Sequence, residues 1–279
     1  MTTTTDTVTT LGGSTVQHGP LNDRIYLMHL DAGDLPGLPD RLDALAEEKG
    51  YGKIFAKVPA SAQGLFAARG YVTEACVPRF FQGREDGCFL AKYFDPARRL
   101  AEAGLGDVLA AARKKAACDP PADLPEGFSS SPATPADAPA IAGLYREVFA
   151  TYPFPIHDPA YIARTMEENF RYVCVRSHDR IVAVSSSEMD AEAENVEMTD
   201  FATHPAFRGY GFAARLLAVM ENAMQDAGMK TAFTICRAAS YPVNITFARA
   251  GYAYAGTLVK NTNICGSFES MNVWYKPLA

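Results

Sequence analysis

The chain has 279 residues, 48% of them hydrophobic, with 26 basic and 32 acidic side chains for a formal net charge of -6. That length suits one large or two modest domains, and the composition is ordinary for a globular protein. An acidic balance without a basic footprint argues against nucleic acid or an anionic membrane as the main partner and suits a cationic small molecule.

Residues 1–13 are Thr-rich, lack the basic flank and apolar core of a signal peptide, and are expected to be a disordered start. No run of about 18 apolar residues suggests a membrane span, so a cytoplasmic location is expected. A first α/β domain is expected over residues 14–117. It reads as a strand at 23–30, a helix at 37–49 stopped by Gly50, a strand at 53–58 ended by Pro59, and a short helix at 61–69. Strands at 71–75 and 87–94 follow, then a helix through 98–115. The cysteines, Cys76, Cys88, Cys118, Cys174, Cys236 and Cys265, have no close pairs and read as reduced core residues.

Residues 118–133, dense in Pro and Ser, read as a linker to a second domain at 134–279. Thr134 caps a helix with Pro135 and Asp137 in its first turn, its buried face supplied by Ile141, Leu144, Tyr145, Val148 and Phe149. The loop at 151–159 sets Tyr152 and Phe154 among prolines, which lower the entropy lost on ordering. It is either a stiff surface loop tucking both rings into the core or one wall of a substrate cleft. His157 and His204 lack partners at metal-ligand spacing, so no metal is expected. A helix at 158–169 and strands at 172–176 and 181–189 come next.

A half-buried strand at 195–203 then runs into Arg208-Gly-Tyr-Gly211 and a helix whose Phe212, Leu216, Leu217, Val219, Met220 and Met224 recur at helical spacing. A helix start leaves backbone N–H groups unpartnered and carries partial positive charge, so main chain alone can hold a pyrophosphate. Gly209 and Gly211 let the backbone approach, and Arg208 adds a cation; the plain alternative is a tight turn with a solvated arginine. Gly209-x-Gly211-x-x-Ala214 also fits the dinucleotide fingerprint, but five residues separate strand from glycine, and the next strand, 231–236, runs into Arg237 and Ala238 instead of an acid. A helix at 241–249 and strands at 252–260 and 268–275 end the chain. Phe66-Ala-Ala-Arg-Gly-Tyr71 echoes Phe247-Ala-Arg-Ala-Gly-Tyr252, each after a strand and before another.

The run Thr203-His-Pro-Ala-Phe-Arg-Gly-Tyr-Gly-Phe-Ala-Ala-Arg-Leu-Leu217 resembles the acetyl-CoA-binding motif of the GNAT superfamily of N-acetyltransferases, with Arg-x-x-Gly-x-Ala on Arg208, Gly211 and Ala213. The resemblance implies an α/β protein of the α+β GNAT type: a mixed, mostly antiparallel sheet flanked by helices, preceded by a smaller half-domain like a truncated GNAT domain, acting as packing partner or lid. It implies a pyrophosphate on the amides of Gly209, Tyr210, Gly211, Phe212 and Ala213. The pantetheine arm would lie along Phe201, Ala202 and Thr203, with Asn244 and Phe247 on the following helix as further contacts. Glu197, four residues before Phe201, is the first candidate for general base, with Asp200 and Glu188 in reserve. A backbone N–H near Ala202 or Thr203 would polarise the thioester carbonyl. The family's usual tyrosine acid corresponds to Phe247, so Tyr252, Tyr241 or Tyr254 must substitute, or water.

Residues 256–276, 17–28 and 51–59 resemble the beta-lysine N6-acetyltransferases. That likeness implies direct attack, in a ternary complex with acetyl-CoA, by the side-chain amine of beta-lysine, giving a compatible solute. Glu188, Glu197, Asp200 and Glu269 are consistent with partners for the substrate's cations, and Lys260 or Asn263 for its carboxylate. Other small amines, a protein lysine, or a non-catalytic acetyl-CoA sensor are the alternatives. The expected partners are a small-molecule amine and a second copy in a homodimer, with neither nucleic acid nor membrane.

Overall fold

β-Branched and aromatic runs bounded by glycine and proline give thirteen strands among the described residues, which are 6–116, 121–264 and 266–278 of the computed structural model. The first half supplies β1 (Thr7–Leu11), β2 (Ser14–Gly19), β3 (Arg24–His29), α1 (Leu38–Lys49), β4 (Lys53–Pro59), α2 (Ala60–Ala67), β5 (Val72–Phe81), β6 (Glu85–Tyr93) and α3 (Leu105–Lys114). The second supplies β7 (Phe128–Pro132), α4 (Ala138–Val148), α5 (Pro159–Glu167), β8 (Phe170–Ser177), β9 (Arg180–Asp190) and β10 (Asn195–Thr203). It continues through α6 (Phe212–Asp226), β11 (Thr231–Arg237), α7 (Tyr241–Arg249), β12 (Ala253–Ile264) and β13 (Ser267–Pro277).

All thirteen strands join one sheet, ordered β1-β2-β3-β4-β6-β5-β12-β13-β11-β10-β9-β8-β7. Only β3 with β4 and β10 with β11 pair in parallel, so the sheet is mixed and mostly antiparallel, as the resemblance implies. The two expected domains are thereby joined edge to edge. The runs β2-β3-β4-β6-β5 and β9-β10-β11-β13-β12 have the same order and directions, so the short sequence echo marks a repeated topology. The halves meet through the counterpart strands β5 and β12, where Ala75 pairs with Gly256. A Cβ on Gly256 would lie 2.1 Å from the carbonyl oxygen of Glu74, so the close approach of backbones requires glycine there.

Helices α1 and α2 cover one core in the first half, and α6 and α7 cover another in the second. Tyr26, Phe55, Phe80 and Phe89 of the first half pack against Phe233, Leu258, Met271 and Val273 of the second, so the opposite face of the sheet closes on itself. Polar contacts reinforce the seam: Lys53 Nζ donates to Glu74 at 2.9 Å and to the carbonyl of Val259 at 2.7 Å.

Four expectations need correction. Thr7–Leu11 is not disordered: it pairs with β2 from Thr7↔His18 to Leu11↔Ser14, while the Asp6 carboxylate accepts from the amides of Leu21 and Asn22; residues 1–5 lie outside the described residues. Within the expected linker, Phe128–Pro132 forms an edge strand on β8, held by backbone bonding that a Ser-rich sequence does not advertise; residues 117–120 lie outside the described residues. The single helix expected over 98–115 is divided, because Gly104 takes φ 83° and α3 starts only at Leu105. Cys76 and Cys88, moreover, face each other across β5 and β6, and Cys76 is exposed instead of buried; Cys118 and Cys265 lie outside the described residues.

Candidate active site

The period of two along a strand turns Arg24, Tyr26 and Met28 of β3 and Phe55 and Lys57 of β4 to one face. That face and the second half enclose a cavity of about 670 Å³. Glu188 of β9, Glu197 to Phe201 of β10 except Met198, Thr234 to Arg237 of β11, and Ser240 and Val243 line it from the second half. Tyr152 and Phe154 also line it, so the proline-stiffened loop forms one wall.

Two backbone features open the cavity. On β10, Thr199 faces Ser186 and Ala202 faces Val184, so Asp200 and Phe201 together oppose Ser185 in a bulge, with Asp200 at φ 56°. In addition, β10 and β11 are paired only from Asn195↔Thr231 to Glu197↔Phe233. Beyond Glu197 the two strands part, leaving Phe201 on one side and Ile235 and Cys236 on the other lining the cavity. A narrow acyl arm fits such a split, where the ladder between the two strands has ended.

The acids converge beside it. Glu188 and Glu197 are direct cross-strand partners. Burial and then the charge of Glu188 push the Glu197 carboxyl up to about 8, and burial pushes Glu188 up to about 7 despite Lys57. Burial works against the Lys57 ammonium, yet Tyr26, Glu197 and Glu188 outweigh it and hold its pKa above the ordinary lysine value. Asp200 is raised by burial as well, but Ser186 Oγ donates to its Oδ2 at 2.6 Å, while Thr199 Oγ1 at 3.4 Å and the Tyr152 hydroxyl donate to its Oδ1. Those three donors make Asp200 an anchor for Tyr152.

At the far end of β10, Gly209 at φ 90° and Gly211 at φ 76° lead into α6, with Gly211 as its N-cap. No atom lies within 4 Å of a Cβ built on either glycine, so space stands open above the amides of Gly209 to Ala213. Arg208 and Tyr210 are exposed there, while Phe212 is buried under the Tyr210 ring at 5.5 Å. The turn therefore has the free N–H groups, room and cation that a pyrophosphate needs. Phe201 lies on the same strand between this turn and Glu197; the Ala202 side chain turns to the core beneath α4, and Thr203 is half-buried.

Several expected site residues lie elsewhere. Asn244 is fully buried: its amide nitrogen donates to the carbonyls of Arg237, Ala238 and Ser240, and its oxygen accepts from Asn272 at 2.8 Å and Trp274 at 2.9 Å. It shapes the start of α7 and has no atom to spare for a ligand. Phe247 packs edge-on against Phe201 at 5.6 Å behind the cavity wall. Tyr252 does not line the cavity; burial and Glu221 raise its hydroxyl pKa, and Lys276 lies 5.8 Å from its ring centroid. Tyr254 bonds Thr257 at 2.6 Å and Tyr241 is exposed, and neither lines the cavity. Glu269 is held by Arg237 through two bonds of 2.7 Å. Lys260 Nζ donates to the carbonyl of Ala97 and Asn263 Nδ2 to that of Leu21, so both serve the seam. What sequence reasoning missed is the contribution of the first half, Arg24 and Lys57. Its signal was a strand whose inward face is apolar and whose other face carries Arg24, Tyr26 and Met28.

The family model described as the Acetyltransferase (GNAT) family matches residues 141–252. A beta-lysine N(6)-acetyltransferase of Methanococcus maripaludis is 40% identical over 95% of this chain and 97% of its own length. A second, of Methanosarcina mazei, is 32% identical over 85% of this chain and 95% of its own. The N-acetyltransferase YodP of Bacillus subtilis is 31% identical over 94% and 95%.

Proposed function

This chain belongs to the GNAT beta-lysine N6-acetyltransferase family, and from that premise we infer that it moves the acetyl group of acetyl-CoA to the side-chain amine of beta-lysine. The observation that carries the chemistry is Glu197, a carboxylate with its pKa pushed up to about 8, standing where β10 and β11 part. An alkylamine with pKa near 10.4 is protonated at neutral pH, so it must lose a proton before it can attack. Glu197 accepts that proton. The amine nitrogen bonds to the thioester carbonyl carbon, a backbone N–H near Ala202 or Thr203 stabilises the oxyanion, and the C–S bond then breaks. The thiolate leaves with a proton from water, in keeping with Tyr241, Tyr252 and Tyr254 lying outside the cavity lining. Attack is direct, in a ternary complex.

A concave cavity of about 670 Å³ between two halves favours a small amine over a protein lysine on a flat groove. The product loses one positive charge and becomes a zwitterion of low net charge, which suits a compatible solute. Action in the cytoplasm, by a homodimer, completes the proposal. The test is thiol release from acetyl-CoA with beta-lysine, lysine, spermidine or no acceptor. Release with beta-lysine far above the others is expected; tight acetyl-CoA binding without turnover on any amine would replace the enzyme by a sensor.

A further inference from the structure

Three cationic side chains are buried on the first half's side of the seam, and two have acids. Lys53 pairs with Glu74 at 2.9 Å and Arg98 with Asp23 at 3.0 Å. Arg24 is as buried as they are, at 5% exposure, but among the described residues no carboxylate lies within ion-pair distance. Its guanidinium donates to neutral acceptors alone: the carbonyl of Asn261, Thr262 Oγ1 at 3.4 Å and Gln17 Oε1 at 3.5 Å. Burial lowers its pKa to about 10, with Arg98 adding to the drop, although Tyr26 and Asp6 act to raise it. Asp6, which also lines the cavity, makes no ion pair with Arg24 among the described residues and accepts from the amides of Leu21 and Asn22. A buried charge left unpaired is costly, and the arginine fork is shaped for a carboxylate.

Arg24 lines the active-site cavity, two residues before Tyr26 on the same face of β3. Tyr26 and Lys57 lead on to Glu188 and Glu197, as their mutual electrostatics show. The lining therefore carries Arg24, a cation without an ion-pair partner among the described residues, together with the cross-strand pair Glu188 and Glu197. Asn261 also lines it, next to Arg24, and its side-chain oxygen is buried without a hydrogen-bond partner.

Resting on the functional reading above, we propose that Arg24 of the first half binds the substrate carboxylate and Asn261 Oδ1 accepts from its 3-ammonium group, so that the 6-amine alone reaches Glu197. The first half thus sets both the preference for an amino acid over a plain polyamine and the choice between the two amines of the substrate. Glu188 and Glu197 would hold the far amine.

Steady-state kinetics with beta-lysine and its neutral carboxamide test this directly. Wild-type enzyme should prefer the acid by about 100-fold in kcat/KM, mostly through KM. Arg24→Gln should bring the two within about 3-fold by raising KM for beta-lysine, leaving kcat and KM for acetyl-CoA close to wild type. Asn261→Ala should raise KM for both substrates about 10-fold while keeping the preference, and so tests the site even where Arg24→Gln folds poorly. Equal use of acid and amide by the wild-type enzyme, or an undiminished preference in folded Arg24→Gln, overturns the assignment of Arg24. No turnover of either substrate would instead overturn the functional reading.

Discussion

The two halves share a topology but divide the chemistry. Both have a Tyr–acid–lysine cluster where the second helix ends. In the first, the Tyr71 hydroxyl donates to Asp43 at 3.3 Å, Lys92 holds Asp43 at 2.6 Å, and Phe66 packs edge-on against Tyr71 at 5.1 Å. In the second, Lys276 holds Glu221 at 2.9 Å beside Tyr252, and Phe247 packs edge-on against it at 5.0 Å. What repeats is what the fold needs. Where the halves differ, function resides: Tyr26 takes the place on its strand that Glu197 has on β10, since Arg24↔Lys53 and Asn195↔Thr231 are equivalent pairings. The turn after β3 carries Asp31, which accepts from the Gly33 amide, and Asp34, which accepts from Ser14; carboxylates stand where the second half leaves open amides.

Breaking the difference at Glu197 should have the largest effect. Glu197→Gln is expected to lower kcat by about 10²–10⁴-fold without loss of acetyl-CoA binding. A base must be deprotonated to act, so with its pKa raised to about 8 the proposed role of Glu197 predicts that wild-type kcat climbs as pH rises through that region and that the variant loses this limb. Joining the halves is the next most sensitive point. A side chain at Gly256 collides with the backbone of β5, so Gly256→Val should cost about 3 kcal/mol, read as a fall in Tm in thermal melts. At the turns, Arg208→Ala should raise KM for acetyl-CoA about 10-fold with kcat nearly unchanged, whereas Asp34→Ala should leave that KM alone and lower stability only. Smallest is the effect where the halves agree: Tyr71→Phe and Tyr252→Phe should each cost below about 1 kcal/mol and change kcat less than about 2-fold. A 10-fold loss of kcat in Tyr252→Phe alone would end the equivalence and restore Tyr252 as the acid.

Local features were legible in the sequence and distant ones were not. The turn from Arg208 to Ala213 could be read because a helix start, two glycines and a cation are contiguous. The echo of Phe66 and Tyr71 in Phe247 and Tyr252 was visible for the same reason. Arg24, Lys57, Glu188 and Glu197 come together only after two strand pairs fold across a seam, and no spacing announces that. Asn244 misled because an amide beside a cofactor helix looks free until its partners are placed. Edge strands such as β1 and β7 escaped notice because Thr- and Ser-rich runs owe their order to backbone pairing, not to a buried face.

The join between β5 and β12 has one more consequence. Two copies of a single half, meeting through the same edge strand, would make this seam between separate molecules and would lose it on dilution. Here the partners are tethered in one polypeptide, so each meets the other at a fixed high effective concentration. Both walls of the cavity therefore belong to one molecule, and dilution does not separate them.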